Sequence, residues 1–333
     1  MSQSYFINIV IIPLLITSPF FAMSMNSWFM IWISLELNLM TFIPLLIFMN
    51  KFHKSFALKY FIIQAFSSSI FILCSNNLLM NMNFNSSNFN LILNIAILIK
   101  IGAAPFHPWF INLMGNLNWM NCLILTTWQK IIPMIILSYC YNFYLVSFSA
   151  VLSTMIGSVF GLCHQSIRLI IAYSSINHVS WMLLNLMISE KLWTLYFICY
   201  LIINSAIILI FHLYNIYYLT QMFFSKKSLL MKITLLFNFF SISGLPPMFG
   251  FLMKWVSLNL IITNKMNFVI LFMLLFSTLT FFFYTRICLT LLIIFSCNNK
   301  SKISPKFYSE NVFLIIITLD SFMNLWLINI WIM

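Results

Sequence analysis

Glu36, Lys100, Lys130 and Lys254 each stand alone inside a long apolar run. A charged side chain at bilayer depth costs about 2.5–3.5 kcal/mol on insertion scales, so four cost about 10–14 kcal/mol before any pairing. Charges kept at that cost are paired or used, and intramembrane ionisable groups usually mark ion or proton paths. A buried ammonium is pulled two ways: desolvation favours the neutral amine, and a nearby carboxylate favours the cation. A group held between those effects can take up and release protons. Glu36 lies about ten residues into its run, ~15 Å of helix and close to mid-bilayer. Lys100 and Lys130 are equally central. Lys254 is about eight residues from the end of its run, where extension to the interface is more conceivable. The competing expectation for all four is a static ion pair between helices.

Three more residues belong to the candidate set. His178, in the run Tyr173–His178 near the start of an apolar segment, has a side chain that relays protons near neutral pH. His107 sits beside Pro105 and Pro108, where it relays or simply packs. Lys59 is near one end of its segment, and snorkelling to the interface is its simpler role, although a partner near Glu36 is within conceivable reach. Asp320, in the last apolar run, is expected to serve packing or a partner subunit. The Gly157/Gly161 spacing allows close helix contact.

These residues need a scaffold, and the composition supplies one. Of 333 residues, 63% are hydrophobic, with sixteen bases and four acids. Apolar runs long enough to cross a bilayer, about 20 residues each, recur from end to end. Eleven spans are expected, near 4–23, 26–48, 56–80, 90–111, 119–140, 145–163, 171–189, 192–218, 232–262, 268–295 and 312–333. The fold class is therefore an all-α polytopic membrane protein without a soluble domain. The bases are scattered rather than clustered with exposed aromatics, which argues against a nucleic-acid partner. With the N-terminus on the positive side, one face receives Lys51, Lys54, Arg168, Lys226, Lys227, Lys232, Lys300, Lys302 and Lys306. The other receives Lys191 and Lys265, the asymmetry of the positive-inside rule. The first apolar run lacks the basic flank of a signal peptide and the arginines of a transit peptide, and reads as a span that stays.

Two spans carry similar interruptions. One reads Lys100-Ile-Gly102-Ala-Ala-Pro105-Phe-His107-Pro-Trp109; the other reads Gly244-Leu-Pro246-Pro247-Met-Phe-Gly-Phe-Leu-Met-Lys254-Trp255. Proline removes a donor and clashes with the preceding turn, so each helix breaks there. Non-helical backbone at bilayer depth is tolerated only inside protein or beside a water-filled cavity. The breaks are five spans apart and so run in opposite directions, the pattern of inverted repeats with discontinuous helices. The expected division is 1–144 for the first five-helix repeat, 145–295 for the second, and 296–333 for a loop and a C-terminal helix, all within one transmembrane domain.

Other chemistry is absent from the sequence. No glycine-rich phosphate loop, HExxH, serine-centred triad or cysteine-rich cluster occurs. The seven cysteines form no CxxC pair, and buried inert thiols are the expectation. No metal or cofactor is expected on this chain. Lys outnumbers Arg fourteen to two, which fits an AT-rich coding genome such as an organellar one.

The segments Lys100–Trp109, Thr127–Pro133, Arg168–His178 and Gly244–Trp255, with Trp28 and Glu36–Asn38, resemble the antiporter-like membrane subunits of respiratory complex I, in their animal mitochondrial form. The resemblance covers nearly the whole chain. It implies the fourteen-helix bacterial fold without its first three helices, which agrees with the eleven spans counted above. It carries the family's charged axis onto Glu36, Lys100, Lys130 and Lys254, with His178 as a connecting relay. It implies neighbouring membrane-arm subunits, antiporter-like ones among them, and lipids as partners. NAD, FMN, iron–sulfur clusters and ubiquinone would be handled on other subunits. The positive side would be the mitochondrial matrix and the C-terminus would face the intermembrane space. After Trp109 the chain departs from the usual pattern, with Phe110–Asn116 where relatives carry a proline and an acid. Two alternatives share the charged axis: an autonomous cation/proton antiporter, and a non-pumping membrane scaffold.

Overall fold

Hydrocarbon offers the backbone no hydrogen bonds, so a chain built of apolar runs must satisfy its amides internally. The computed structural model describes residues 7–49, 54–80, 86–224, 229–246 and 248–298, and among these every regular element is helical. After a π-turn at Ile7–Ile11 come α1 (Ile12–Ser24), α2 (Trp28–Met49), α3 (Lys54–Met80), α4 (Ser86–Ile101), α5 (Pro108–Met114), α6 (Trp119–Thr126) and α7 (Trp128–Tyr139). They are followed by α8 (Phe143–Cys163), α9 (Ile167–Ile188), α10 (Glu190–Tyr214), α11 (Leu219–Phe224), α12 (Leu229–Ser243), α13 (Phe249–Thr263) and α14 (Asn267–Asn298).

Among the described residues, seven stretches are long and apolar enough to cross a bilayer: Trp28–Phe48, Lys54–Asn77, Trp119–Tyr139, Phe143–Cys163, Ile167–Ile188, Glu190–Tyr214 and Asn267–Leu292. They coincide with seven of the expected spans. The expected spans 4–23, 90–111 and 232–262 hold shorter apolar helices: Ile9–Ser24, Asn88–Ile101, and the pair Ile233–Ser243 and Phe249–Thr263. The expected last span, 312–333 with Asp320, lies outside the described residues, as does Pro247.

The chain forms two compact units, Met1–Leu152 and Ser153–Met333. In the first, α1 packs on α2, α2 on α3, α3 on α4, and α4 on α7. Pro19 inside α1 has no N–H for the carbonyl of Leu15. The indole of Trp128, at the start of α7, donates to that oxygen instead, at 2.7 Å. In the second unit α9 is the buried centre, covered from Ile170 to Leu186. It packs on α10 and α13, and α12 packs on α13 and α14. A methyl on Gly157 of α8 would stand 2.8 Å from the Tyr173 carbonyl of α9, so this glycine permits the close α8–α9 approach that its spacing suggested.

Candidate functional site

Both interrupted spans stop in the same way, and the stop is made by glycine before any proline. Gly102 (φ +74) and Gly244 (φ +81) adopt the left-handed conformation that costs an L-residue with a Cβ but not glycine. The Gly102 amide bonds back to Leu98 and Ile99, and the next amide, of Ala103, to Leu98. The Gly244 amide bonds to Phe240 and Ser241, and that of Leu245 to Phe240. The sequence places the breaks at Gly102, Pro105, Gly244, Pro246 and Pro247 together. In the structure Pro105, behind a cis peptide bond, and Pro246 follow a helix that glycine has already closed.

Around the first break, Lys100 lies in the last turn of α4 and is only 6% exposed. The negative end of a helix dipole favours a cation there. Glu36 on α2 is half-buried and acts electrostatically on Lys100. The freed carbonyls of α4 have neutral partners: the Trp109 indole donates to Ile99 O at 3.0 Å, and the Gln64 amide to Lys100 O at 3.4 Å.

Lys130 follows a third interruption, which the hydropathy pattern of 119–140 does not reveal. Thr127 (φ −114, ψ −70) separates α6 from α7, and its hydroxyl donates to Leu123 O at 2.6 Å. Such back-bonding competes with the helix ladder, and Pro133 withholds the donor that the Gln129 carbonyl would need. Lys130 is 2% exposed. Its ammonium lies 4.9 Å from the centre of the Phe110 ring, a cation–π contact. The adjacent Gln129 exchanges hydrogen bonds with Asn38, at 2.8 and 3.2 Å, and accepts one from Tyr60 at 3.1 Å. This network ties together α2, α3 and α7, the helices that carry Glu36, Lys59 and Lys130.

In the second unit, Lys254 is not a snorkelling residue. It is 7% exposed, and its ammonium donates to the carbonyl of Ser243, the last residue of α12, at 2.9 Å. Its stem lies against Gly244, where a Cβ would stand 3.1 Å from Nζ. Gly250 brings α13 directly onto α12, since a methyl there would overlap the Ser241 carbonyl. His178 stands in mid-helix on α9, not near the start of a span, and is buried. Its Nδ1 lies 3.0 Å from the Tyr196 hydroxyl, and the Tyr200 ring is 5.2 Å away. Asn204 donates to the Tyr200 hydroxyl at 3.3 Å.

The two remaining candidates are peripheral. His107 is half-buried, with Nδ1 3.2 Å from the Pro105 carbonyl. Lys59 is exposed, 5.3 Å above the Phe56 ring, and lines a cavity of about 390 Å³ with Trp109 and Asn112.

Sequence reasoning missed Asn38, Tyr60, Gln64, Gln129, Tyr196 and Tyr200. Asn38 and Gln129 flank the charged candidates by two and one positions, and that adjacency was the only available signal.

Helices throughout the described residues, with glycine-stopped half-helices and lysines buried beside the interruptions, define a polytopic membrane protein. The chain belongs to the NADH:quinone oxidoreductase/Mrp antiporter membrane family, whose model matches residues 25–282. It is 40% identical over 296 residues to the NADH-ubiquinone oxidoreductase chain 2 of Anopheles gambiae, covering 84% of each chain. It is 37% identical over 335 residues to that of Aedes aegypti, covering 97% of each. The fold is similar to a chain of respiratory complex I from Thermus thermophilus, with a TM-score of 0.82 at 18% identity, covering 95% of this chain and 77% of that one. It is also similar to a chain of the Mrp complex from Dietzia sp., with a TM-score of 0.73 at 14% identity, covering 89% and 61%.

Proposed function

We infer that the chain is an antiporter-like core membrane subunit of NADH:ubiquinone oxidoreductase. Its part is proton translocation, coupled to electron transfer from NADH to ubiquinone on other subunits. The observation that carries this reading is the burial of three lysines beside helix interruptions, in a chain whose relatives are NADH-ubiquinone oxidoreductase chain 2. In this reading Glu36 and Lys100 form a charge pair whose separation alters the lysine's affinity for its proton. Lys130, with its ammonium over the Phe110 face, carries the proton onward within the first unit. His178, hydrogen-bonded to Tyr196, relays protons in the second unit, and Lys254 receives them. Water takes part: the buried amide oxygens of Asn177 and Asn185 on α9 have no hydrogen-bond partner in the protein, and such atoms bind internal water.

The finer features of the reading are eleven spans in two inverted repeats with one appended helix, a mitochondrial inner-membrane location, an N-terminus towards the matrix and membrane-arm neighbours. The matching glycine stops support the repeat. Redox cofactors are assigned to other subunits. The test is a native gel of mildly solubilised mitochondrial membranes, stained for NADH dehydrogenase activity and probed for this chain. Co-migration with a very large active band is expected. A small inactive band under conditions that keep the oxidoreductase intact would favour an autonomous antiporter, which proton-driven cation transport by the purified chain in liposomes would establish.

A further inference from the structure

Arg286 takes no part in the proposed proton path, and its surroundings have a different chemistry. It is one of two arginines in the chain. It lies on the face of α14 that carries Phe282 and Leu289, both 57% exposed, since positions three and four apart share a helix face. Arg286 lies beside the loop between α8, which ends at Cys163, and α9, which begins at Ile167, where two apolar spans terminate together. That places a guanidinium on an exposed apolar stripe, level with the ends of two spans.

The group is held in place. Its Nη2 donates to the carbonyl of Leu162, in the last turn of α8, at 3.1 Å. A guanidinium carries five N–H donors in a planar fork, more than one carbonyl accepts. Beside it lies a cavity of about 320 Å³ lined by Leu162, Cys163, His164, Gln165, Arg286 and Ile287, among others. The His164 ring is fixed flat against Tyr173, with centroids 5.1 Å apart and planes 10° apart. Arg168, in the first turn of α9 and over the Tyr217 ring at 4.8 Å, adds positive charge at the same end of the unit. None of the described lining residues is acidic. The described acid of this unit, Glu190, begins α10 beyond the other end of α9.

We propose that this cavity binds the phosphate of an anionic phospholipid, with the Arg286 fork on the phosphate oxygens, His164 and Gln165 as further donors, and Leu162 and Ile287 against the glycerol and acyl chain. Arginine matches the geometry of two phosphate oxygens at once. Free phosphate would meet the same donors, but the apolar stripe of Phe282 and Leu289 favours a ligand with a tail.

Cys163 supplies the test, because its exposed thiol lines the cavity. The full chain, purified in its native complex and stripped of lipid by detergent exchange, is alkylated with a maleimide, and the rate at Cys163 is read by peptide mass spectrometry. Phosphatidylglycerol in mixed micelles, phosphatidylcholine and inorganic phosphate are compared. Phosphatidylglycerol at ten times its Kd is expected to slow alkylation about tenfold, the other two much less. Equal protection by phosphatidylcholine or by inorganic phosphate, or no protection at all, overturns the assignment. This series needs no variant. Arg286→Gln is expected to abolish the protection, Arg286→Lys to keep part of it and His164→Gln to weaken it. Full protection of Arg286→Gln would remove the arginine from the site.

Discussion

The two helix breaks share a backbone and differ in what the lysine does. At each, glycine in the left-handed region closes the helix with the same pair of amide bonds. At the first, Lys100 precedes the glycine, and neutral groups, Trp109 and Gln64, take the freed carbonyls. At the second, Lys254 follows the glycine and its ammonium is itself the partner of the Ser243 carbonyl. The first lysine can change its charge while its helix end stays bonded. The second cannot swing away without leaving the Ser243 carbonyl bare. The lysine side chain is therefore independent of the helix end in one unit and part of it in the other.

The sharpest way to break the comparison is at Gly250, where α13 meets the backbone of α12. Gly250→Ala forces a methyl onto the Ser241 carbonyl. Overpacking costs about 1–3 kcal/mol or more, and here both neighbours are backbone, so the assembled subunit is expected to disappear from native gels. Gly102→Ala meets side chains, Phe110 and Trp109. It pays chiefly for its left-handed φ, about 1–2 kcal/mol, and is expected to assemble in reduced amount.

The lysines come next. Lys254→Met leaves the Ser243 carbonyl without its ammonium, a loss of about 1–3 kcal/mol. It is expected to lower the melting temperature of the complex and its turnover together. Lys100→Met leaves its helix end bonded but takes the charge away from half-buried Glu36, and is expected to lower turnover with a smaller fall in melting temperature than Lys254→Met. Equal destabilisation by the two variants would erase the distinction drawn here. The smallest effect is expected from Trp109→Phe, which keeps the ring and removes the donor to Ile99. A loss of about 0.5–1.5 kcal/mol in thermal or denaturant unfolding, with turnover largely kept, fits a carbonyl partner rather than a proton carrier.

The residues that the sequence made conspicuous are those whose types violate their surroundings. Glu36, Lys100, Lys130 and Lys254 stand out because a charge in an apolar run has no cheap explanation, and the two breaks stand out because glycine and proline punctuate helices. The neutral partners were illegible for a different reason. Asn38 and Gln129 are 91 residues apart, and Tyr60 and Gln129 are 69 apart. Pairings of that kind come from the packing of α2, α3 and α7, not from any spacing along the chain. The interruption at Thr127 left no mark on hydropathy, because it arises from a hydroxyl back-bond and a proline one turn later. For Lys254, counting residues to the end of its span left extension to the interface conceivable, because the carbonyl end of α12 that receives its ammonium is set by packing. His178 was placed near a helix start because the polar run around it resembles a boundary. In the structure that polar run lines the buried centre of the second unit.

Proton movement through the buried lysines of this chain is tested most directly by the proton-to-electron ratio of Lys130→Met, measured in sealed vesicles that contain the assembled oxidoreductase. Methionine keeps the length of the side chain against the Phe110 ring, so assembly is expected to survive. The account predicts a normal amount of complex with a reduced ratio and slowed coupled turnover. Full stoichiometry at wild-type turnover in that variant would contradict it.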